Sequence, residues 1–138
     1  MKVTAADREA ARNLIARQKF CIDDDEVAGV AQCWASNARL ELHVNGAPPR
    51  VIEGRDTILS FRTSGGTRNG HPHIHLITTL EIIDREDGGL GAESYCAYLS
   101  TAGDFQVLGY GRYSDILAFE DGAWRLQSRT VKITANFG

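Results

Sequence analysis

Three histidines alternate along one short segment of the chain, His71-Pro72-His73-Ile74-His75, and residues of this type could carry acid–base chemistry. In a β-strand, side chains two positions apart point to the same face, so His73 and His75 share a face. Histidine titrates near neutral pH, and beside a carboxylate on an inward face it is a candidate general acid or base. A run of four acidic residues, Asp23-Asp24-Asp25-Glu26, lies about fifty residues earlier.

Asp23 is the candidate carboxylate within that acidic run. It directly follows Ile22, the last apolar residue of a predicted helix, so its side chain could turn under the helix end toward a cavity. Asp24, Asp25 and Glu26 are typical of a solvated cap, since the dipole of a following helix favours negative charge at its N-terminus. The sequence therefore favours Asp23 alone as a partner for a distant histidine.

The same histidines also admit a metal site, because two imidazoles on one strand face can chelate zinc or iron. His71 is the third imidazole near in sequence, and Pro72 disturbs the strand there. Acidic and cysteine ligands do not stand near this segment. We therefore expect no metal.

Other polar side chains of the C-terminal half could orient a ligand. Tyr95, Tyr98, Tyr110 and Tyr113 all lie in predicted strands, and one or two hydroxyls could point into a pocket. Simple alternation does not allow Tyr98, Tyr110 and Tyr113 to share one face. Arg129, inside a strand, is either a salt-bridged residue at a rim or an anion-binding residue.

The N-terminal part of the chain predicts helices. Thr4-Ala5-Ala6-Asp7 reads as a capping box that opens a helix near residues 5–22. Apolar residues at helical spacing from Val27 to Trp34 predict a second helix. A third is expected near residues 54–64 and carries Phe61.

The rest of the chain alternates with period two and predicts strands. A half-buried strand is expected over 38–44, a short one over 51–53, and longer ones at about 73–84, 92–101, 105–119 and 123–134. Short turns between the last four predict an antiparallel meander. Helices first and a meander second indicate an α+β fold.

Length and composition set broad limits on the protein. A chain of 138 residues is expected to form one domain over 1–138. The net charge of −3 argues against a nucleic-acid surface, which is normally basic. No apolar run approaches the roughly 20 residues that span a bilayer, and the N-terminus lacks the apolar segment of a signal peptide. We therefore expect no membrane association and a cytoplasmic location.

The cysteines Cys21, Cys33 and Cys96 are odd in number and have no C-x-x-C spacing. We expect them to be reduced, buried and apolar in character, with a catalytic thiol at Cys96 as the alternative.

In this order, the segments resemble the SnoaL-like branch of the nuclear transport factor two-like superfamily, which has scytalone dehydratase as a distant relative. The resemblance covers nearly the whole chain. It rests on Leu14-Ile15-Ala16-Arg17 through Asp23, Val27 to Trp34, Glu53-Gly54-Arg55-Asp56-Thr57-Ile58, His75-Leu76-Ile77-Thr78-Thr79, Gly111-Arg112-Tyr113-Ser114-Asp115, and Asp121-Gly122-Ala123-Trp124-Arg125-Leu126 followed by Arg129. The chain departs from the family pattern at Gln18, where a tyrosine is common, and at Thr79, where an asparagine is common.

The resemblance implies a cone-shaped, curved antiparallel sheet that wraps around the N-terminal helices and encloses a pocket. It implies an Asp23–His75 dyad, which would act by cofactor-free proton transfer in a dehydratase or isomerase. The implied substrate is a small, largely apolar, oxygenated ring compound. The residues expected to contact it are Tyr113, Tyr95, Tyr98, His73, Trp34, Phe61 and Arg129.

Two other functions remain open at this point, a non-catalytic module that binds a small ligand and the small subunit of a ring-hydroxylating complex. The resemblance and the partly apolar outer face of the predicted sheet also lead us to expect a homodimer.

Overall fold

A computed structural model describes residues 2–63, 73–101, 103 and 106–135 of the protein. Its helices are α1 (Ala5–Asp23), α2 (Val27–Cys33) and α3 (Arg55–Thr63). Its strands are β1 (Trp34–Val44), β2 (Arg50–Glu53), β3 (His73–Asp84), β4 (Leu90–Ser100), β5 (Val107–Glu120) and β6 (Ala123–Ala135). His71 and Pro72 lie outside the described residues, so the predicted start of the histidine strand is defined only from His73 onward.

Helix α1 begins at the predicted capping box. The backbone N–H of Asp7 donates to the Thr4 hydroxyl, and the Asp7 carboxylate accepts from the Thr4 backbone N–H at 2.8 Å. Two orphan donors of the first turn are thereby satisfied. The buried stripe of α1 includes Leu14, Ile15, Gln18 and Ile22 and packs toward the sheet, as the apolar spacing predicts.

The six strands form one sheet in the order β2-β1-β6-β5-β4-β3. Strands β3 to β6 pair antiparallel in sequence, which confirms the predicted meander and the α+β class. Strand β1 joins this meander by pairing parallel to β6, while β2 pairs antiparallel to β1. The parallel pairing extends the predicted four-stranded sheet at its C-terminal strand.

The second predicted helix is too long by one residue, and the strand after it begins earlier than expected. Helix α2 ends at Cys33, and Trp34 already has extended backbone angles and pairs with Leu126 of β6. The i, i+3, i+4, i+7 spacing places Trp34 on the helix face, but pairing with a distant strand overrides that local signal.

Irregularities in register bend the sheet into a curve. Register shifts occur in β3 between Ile77 and Thr79, and also in the β4–β5, β5–β6 and β1–β6 pairings. Such bulges increase strand twist and curvature. The concave inner face carries the buried side chains of every long strand and meets α1, so side chains of α1 and of this face come together in the interior of the domain.

The outer face of the sheet carries several exposed apolar side chains, among them Ile74, Leu76, Tyr95 and Tyr110. Within the described residues, no helix is long and apolar enough to cross a membrane.

Candidate functional site

The carboxylate of Asp23 binds His75 through both of its oxygens. Oδ1 lies 2.5 Å from Nδ1 of the imidazole ring, and Oδ2 accepts a hydrogen bond from the His75 backbone N–H at 3.1 Å. The His75 side chain is 1% exposed and that of Asp23 is 13% exposed. The predicted contact between these two residues, which are 52 positions apart, is therefore present.

The end of α1 explains how Asp23 reaches the strand. Asp24 caps the helix by donating its backbone N–H to the Phe20 carbonyl, and Asp25 has a positive φ of 60°. Aspartate tolerates this left-handed conformation better than most residues, so the chain can turn sharply here. Since α1 packs against β3, the last helical residue lies beside the beginning of that strand.

The hydrogen bonds fix the ionisation of the pair. Burial raises the pKa of Asp23, but the hydrogen bonds from the ring and the backbone of His75 outweigh it, so the net pKa lies below its usual value. An ionised carboxylate has no proton to give, so Nδ1 of His75 must be the donor. In the neutral ring, Nε2 is then unprotonated and can act as a base.

Two buried tyrosines extend the site from His75. The ring of Tyr98 packs edge-on against His75 with centroids 4.8 Å apart. The hydroxyls of Tyr98 and Tyr113 are in direct hydrogen-bond contact. Burial is the main cause that raises the pKa of Tyr113 well above its usual value, so this phenol keeps its proton at neutral pH. Gly111 leaves room for the Tyr113 ring, since an added Cβ would lie 3.2 Å from it.

Arg129 is not at a rim, as one of our two interpretations had it, but fully buried with a side chain 0% exposed. It donates to both carboxylate oxygens of Asp115, at 2.7 and 2.9 Å, and to the side-chain oxygen of Gln18 at 2.9 Å. Desolvation works against its charge, but Asp115 prevails and the net pKa of Arg129 is raised. The Arg129 guanidinium, paired with Asp115, lies 4.8 Å from the centroid of the Tyr113 ring.

Lys19 is a buried residue of the site that sequence reasoning missed. Its Nζ lies 4.2 Å from the centroid of the Tyr113 ring, so the lysine and Arg129 both contact one tyrosine. The signal that could have found it was its position four residues before Asp23 in α1, which puts both on one helix face.

Tyr95 does not line the inner face, and the prediction that it contacts the substrate is wrong. Its side chain is on the outer face and 46% exposed, and its hydroxyl accepts from Arg112 at 3.2 Å. Tyr95 and Tyr98 are three positions apart in β4 and therefore point to opposite faces. Tyr110 is exposed on the outer face as well.

The remaining predicted contacts lie at different distances from the dyad. The His73 ring is 5.5 Å from that of His75, on the same face. Trp34 is fully buried at the start of β1, with the Arg129 guanidinium 5.7 Å from its ring. The ring of Phe61 has the guanidinium of Arg50 4.6 Å from its centroid, and its helix α3 packs mainly against β1 and α2. Their contact with a substrate stays a prediction.

Neither cysteine nor metal chemistry is supported by the geometry of the described residues. All three cysteines are free and buried. Burial raises the pKa of Cys33 to about 11 and is the main cause that raises the pKa of Cys96, so both remain thiols at neutral pH. In the part of the chain that the structure describes, no three metal-ligating side chains come together. The absence of a bound metal in the protein itself remains a prediction.

Residues 3–130 match the model of the SnoaL-like domain family. The protein belongs to the SnoaL-like domain family. A search among curated protein sequences finds no significant match. The family match and the α1–sheet arrangement together confirm the resemblance inferred from the order of the segments.

Solved structures share this SnoaL-like fold along nearly their whole length. A protein from Catenulispora acidiphila, solved in complex with S-DNPA, is 25% identical with a TM-score of 0.77, covering 94% of this chain and 95% of its own. A nuclear transport factor two-like protein with a cystatin-like fold, from Novosphingobium aromaticivorans, is 18% identical with a TM-score of 0.76 and coverages of 96% and 84%. A protein of that organism assigned as the beta subunit of an aromatic-ring-hydroxylating dioxygenase is 20% identical, with a TM-score of 0.74 and coverages of 93% and 89%.

Proposed function

We propose that this SnoaL-like protein is a small-molecule lyase or isomerase of the dehydratase type, which acts by proton transfer without a cofactor. The observation that carries the proposal is the Asp23–His75 pair, in which one carboxylate fixes both the ring and the backbone of a buried histidine. A buried carboxylate is costly unless paired, and a histidine in this arrangement has a defined tautomer and a defined orientation.

His75 is the proposed base. With Nδ1–H held by Asp23, Nε2 takes a proton from the carbon next to a carbonyl group of the substrate. Asp23 stabilises the imidazolium that forms, because its charge lies 2.5 Å from the ring nitrogen. In an isomerisation the same imidazolium returns the proton to another carbon, and in a dehydration the leaving hydroxyl must also take up a proton, so that water is released.

Tyr98 and Tyr113 are the proposed donors to the developing enolate oxygen. Both phenols are buried, Tyr98 against His75 and Tyr113 against Tyr98. Since one hydroxyl donates to the other, the pair has one O–H left to donate, and that hydrogen bond strengthens as the enolate oxygen gains charge. The cations of Lys19 and Arg129 lie over the Tyr113 ring and favour negative charge near it.

The proposed substrate is a small, largely apolar ring compound that carries oxygen. The inner face around the dyad combines apolar side chains with a few convergent polar groups, which is typical of sites for such ligands. A relative with 25% identity was solved with the small molecule S-DNPA, which supports a ligand-binding role for the fold.

A second candidate is the small subunit of a ring-hydroxylating complex. It is favoured by the likeness to a protein assigned as such a beta subunit, although one fold hosts many functions. A subunit of this kind should form a stable complex with a larger iron-containing chain. A non-catalytic ligand-binding module remains the third candidate, and it should retain a small molecule without converting it.

Deuterium exchange tests the enzymatic proposal and does not require the product to be identified first. The protein is incubated in D2O with a panel of ring ketones and hydroxylated ring ketones, and the compounds are analysed by mass spectrometry. We expect deuterium incorporation or loss of water for at least one compound, abolished in His75→Ala. The matched control is His43→Ala, which removes another carboxylate-paired histidine on β1, a strand separated from β3 by β6, β5 and β4. Exchange that persists in His75→Ala would contradict the proposal.

A further inference from the structure

His73 lies beside the dyad and places a second imidazole ring close to that of His75. Its ring centroid is 5.5 Å from that of His75, and the two planes are tilted by 58°. At this separation the ring nitrogens can approach directly or through one water molecule. His73 is the first residue of β3 and is partly exposed, whereas the His75 side chain is 1% exposed.

Among the described residues, two neighbours cover parts of the His75 ring. Its Nδ1 is bound to Asp23, and the edge contact with Tyr98 covers another side of the ring. Tyr98 in turn contacts the hydroxyl of Tyr113, which is also buried. A base that is buried in this way must exchange protons with solvent through a neighbouring side chain. Burial raises the pKa of the Tyr113 phenol, so this phenol is a poor proton carrier near neutral pH.

We propose that His73 is the proton relay of this site and carries protons between His75 and solvent. The role in catalysis rests on the proposed function, since only a proton-transfer enzyme needs His75 to be reset. His73 has the chemistry for the task, because an imidazole accepts a proton at one nitrogen and releases another at the second near neutral pH.

With His73 as the relay, the protons balance over one cycle of a dehydration. His75 takes a proton from a C–H bond, whose electron pair forms the new C=C bond. The leaving hydroxyl departs with the C–O electron pair and takes a proton from protonated His73, so water is released. The proton on His75 then moves to His73, and both residues return to their starting states. In an isomerisation that exchanges with solvent, the proton passes from His75 through His73 to water.

Proton exchange can be measured on the free protein, without substrate. In a sample with ¹⁵N-labelled histidine, NMR gives the exchange rate of the His75 ring protons with water. We expect His73→Phe, which keeps an aromatic ring, and His73→Gln, which keeps polarity, to slow this exchange by about tenfold or more. The control His43→Phe should leave the rate unchanged. In His73→Ala, added imidazole should restore the exchange.

An exchange rate that stays within about twofold of the parent in both His73→Phe and His73→Gln would overturn the relay. Loss of the Asp23-bonded proton signal in both variants would also overturn it, because His73 would then be supporting the structure of the dyad. The outcome is separate from that of the proposed function. A protein that exchanges through His73 but converts no compound keeps the relay and loses the enzyme, and the reverse result keeps the enzyme and loses the relay.

Discussion

At the scale of single residues, both carboxylate oxygens of Asp23 form hydrogen bonds with one residue, His75. The position of Asp23 after an apolar helix stripe and the alternation of histidines made both residues candidates, and the resemblance to the SnoaL-like family predicted that they form a pair. Tyr95 was predicted to contact the substrate, but its side chain lies on the outer face. Alternation along a strand separates the side chains into two sets and does not show which set faces inward. Burial of Arg129 could not be inferred either, since Gln18 and Asp115, its partners, are 111 and 14 positions away.

Asp23 should contribute stability that depends on pH. Its pKa in the folded protein lies below the ordinary value of 3.8, so its contribution is present above that pH and is lost as the pH falls through the folded value. We expect Asp23→Asn to lower the free energy of unfolding by about 1–2 kcal/mol at pH 7. The difference from the parent should shrink toward zero below about pH 3.8 in urea titrations. A difference that grows on acidification would contradict the sign.

The buried pair of Arg129 and Asp115 should be far more important to stability than an exposed pair. Replacing Asp115 by Asn leaves a fully buried guanidinium without its counter-charge, and we expect a loss of about 3–5 kcal/mol in the free energy of unfolding. The matched control is Asp84→Asn, which breaks the exposed pair of Asp84 with Arg8 and should have little effect. Equal losses in the two variants would show that Arg129 finds another partner.

At the scale of elements, α1 and β3 hold the two halves of the dyad, and the sequence predicts both to within a residue or two. Capping-box residues and period-two alternation are local signals, so helix α1 and the four-stranded meander could be inferred directly. The parallel pairing of β1 with β6 could not, because it joins strands that are far apart in the chain. Trp34 shows the same limit, since its pairing with Leu126 ends a helix that the apolar spacing would continue.

The cap of α1 should matter for the stability of the element that presents Asp23. Thr4→Ala removes the hydroxyl that accepts the Asp7 backbone N–H, and we expect Tm to fall by about 4 °C in thermal unfolding followed by circular dichroism. Thr4→Ser keeps the cap and serves as the control. Because the dyad lies at the opposite end of α1, the His75 ring protons should be unaffected. Disruption of their NMR signals would show that the two helix ends are coupled.

At the scale of the whole molecule, the curved sheet separates an inner face with the site from an outer face with exposed apolar side chains. We propose that this outer face forms a homodimer and that the protein acts in the cytoplasm. The contact would cover Leu76 and Tyr110, which are otherwise exposed at 41% and 57%. An apolar face of this kind is rarely left in water.

Light scattering at tens of micromolar should give the mass of a dimer. The double variant Leu76→Lys and Tyr110→Lys should shift it to a monomer, because two buried cations would face each partner. Lys132→Glu changes a charged outer-face position and provides a control for a general effect of surface charge. A monomeric parent at that concentration would contradict the proposed interface.

The central claim is that the Asp23–His75 dyad moves a proton of the substrate, and one rate tests it most directly. The measurement is the rate of deuterium incorporation or water loss in the ring compound that the parent converts, compared between Asp23→Asn and its neighbour control Asp24→Asn. We predict a fall by a factor on the order of 10² or more for Asp23→Asn, because the ring loses its fixed tautomer, and a near-parental rate for Asp24→Asn. Parental rates in Asp23→Asn, with the fold intact by circular dichroism, would contradict the account.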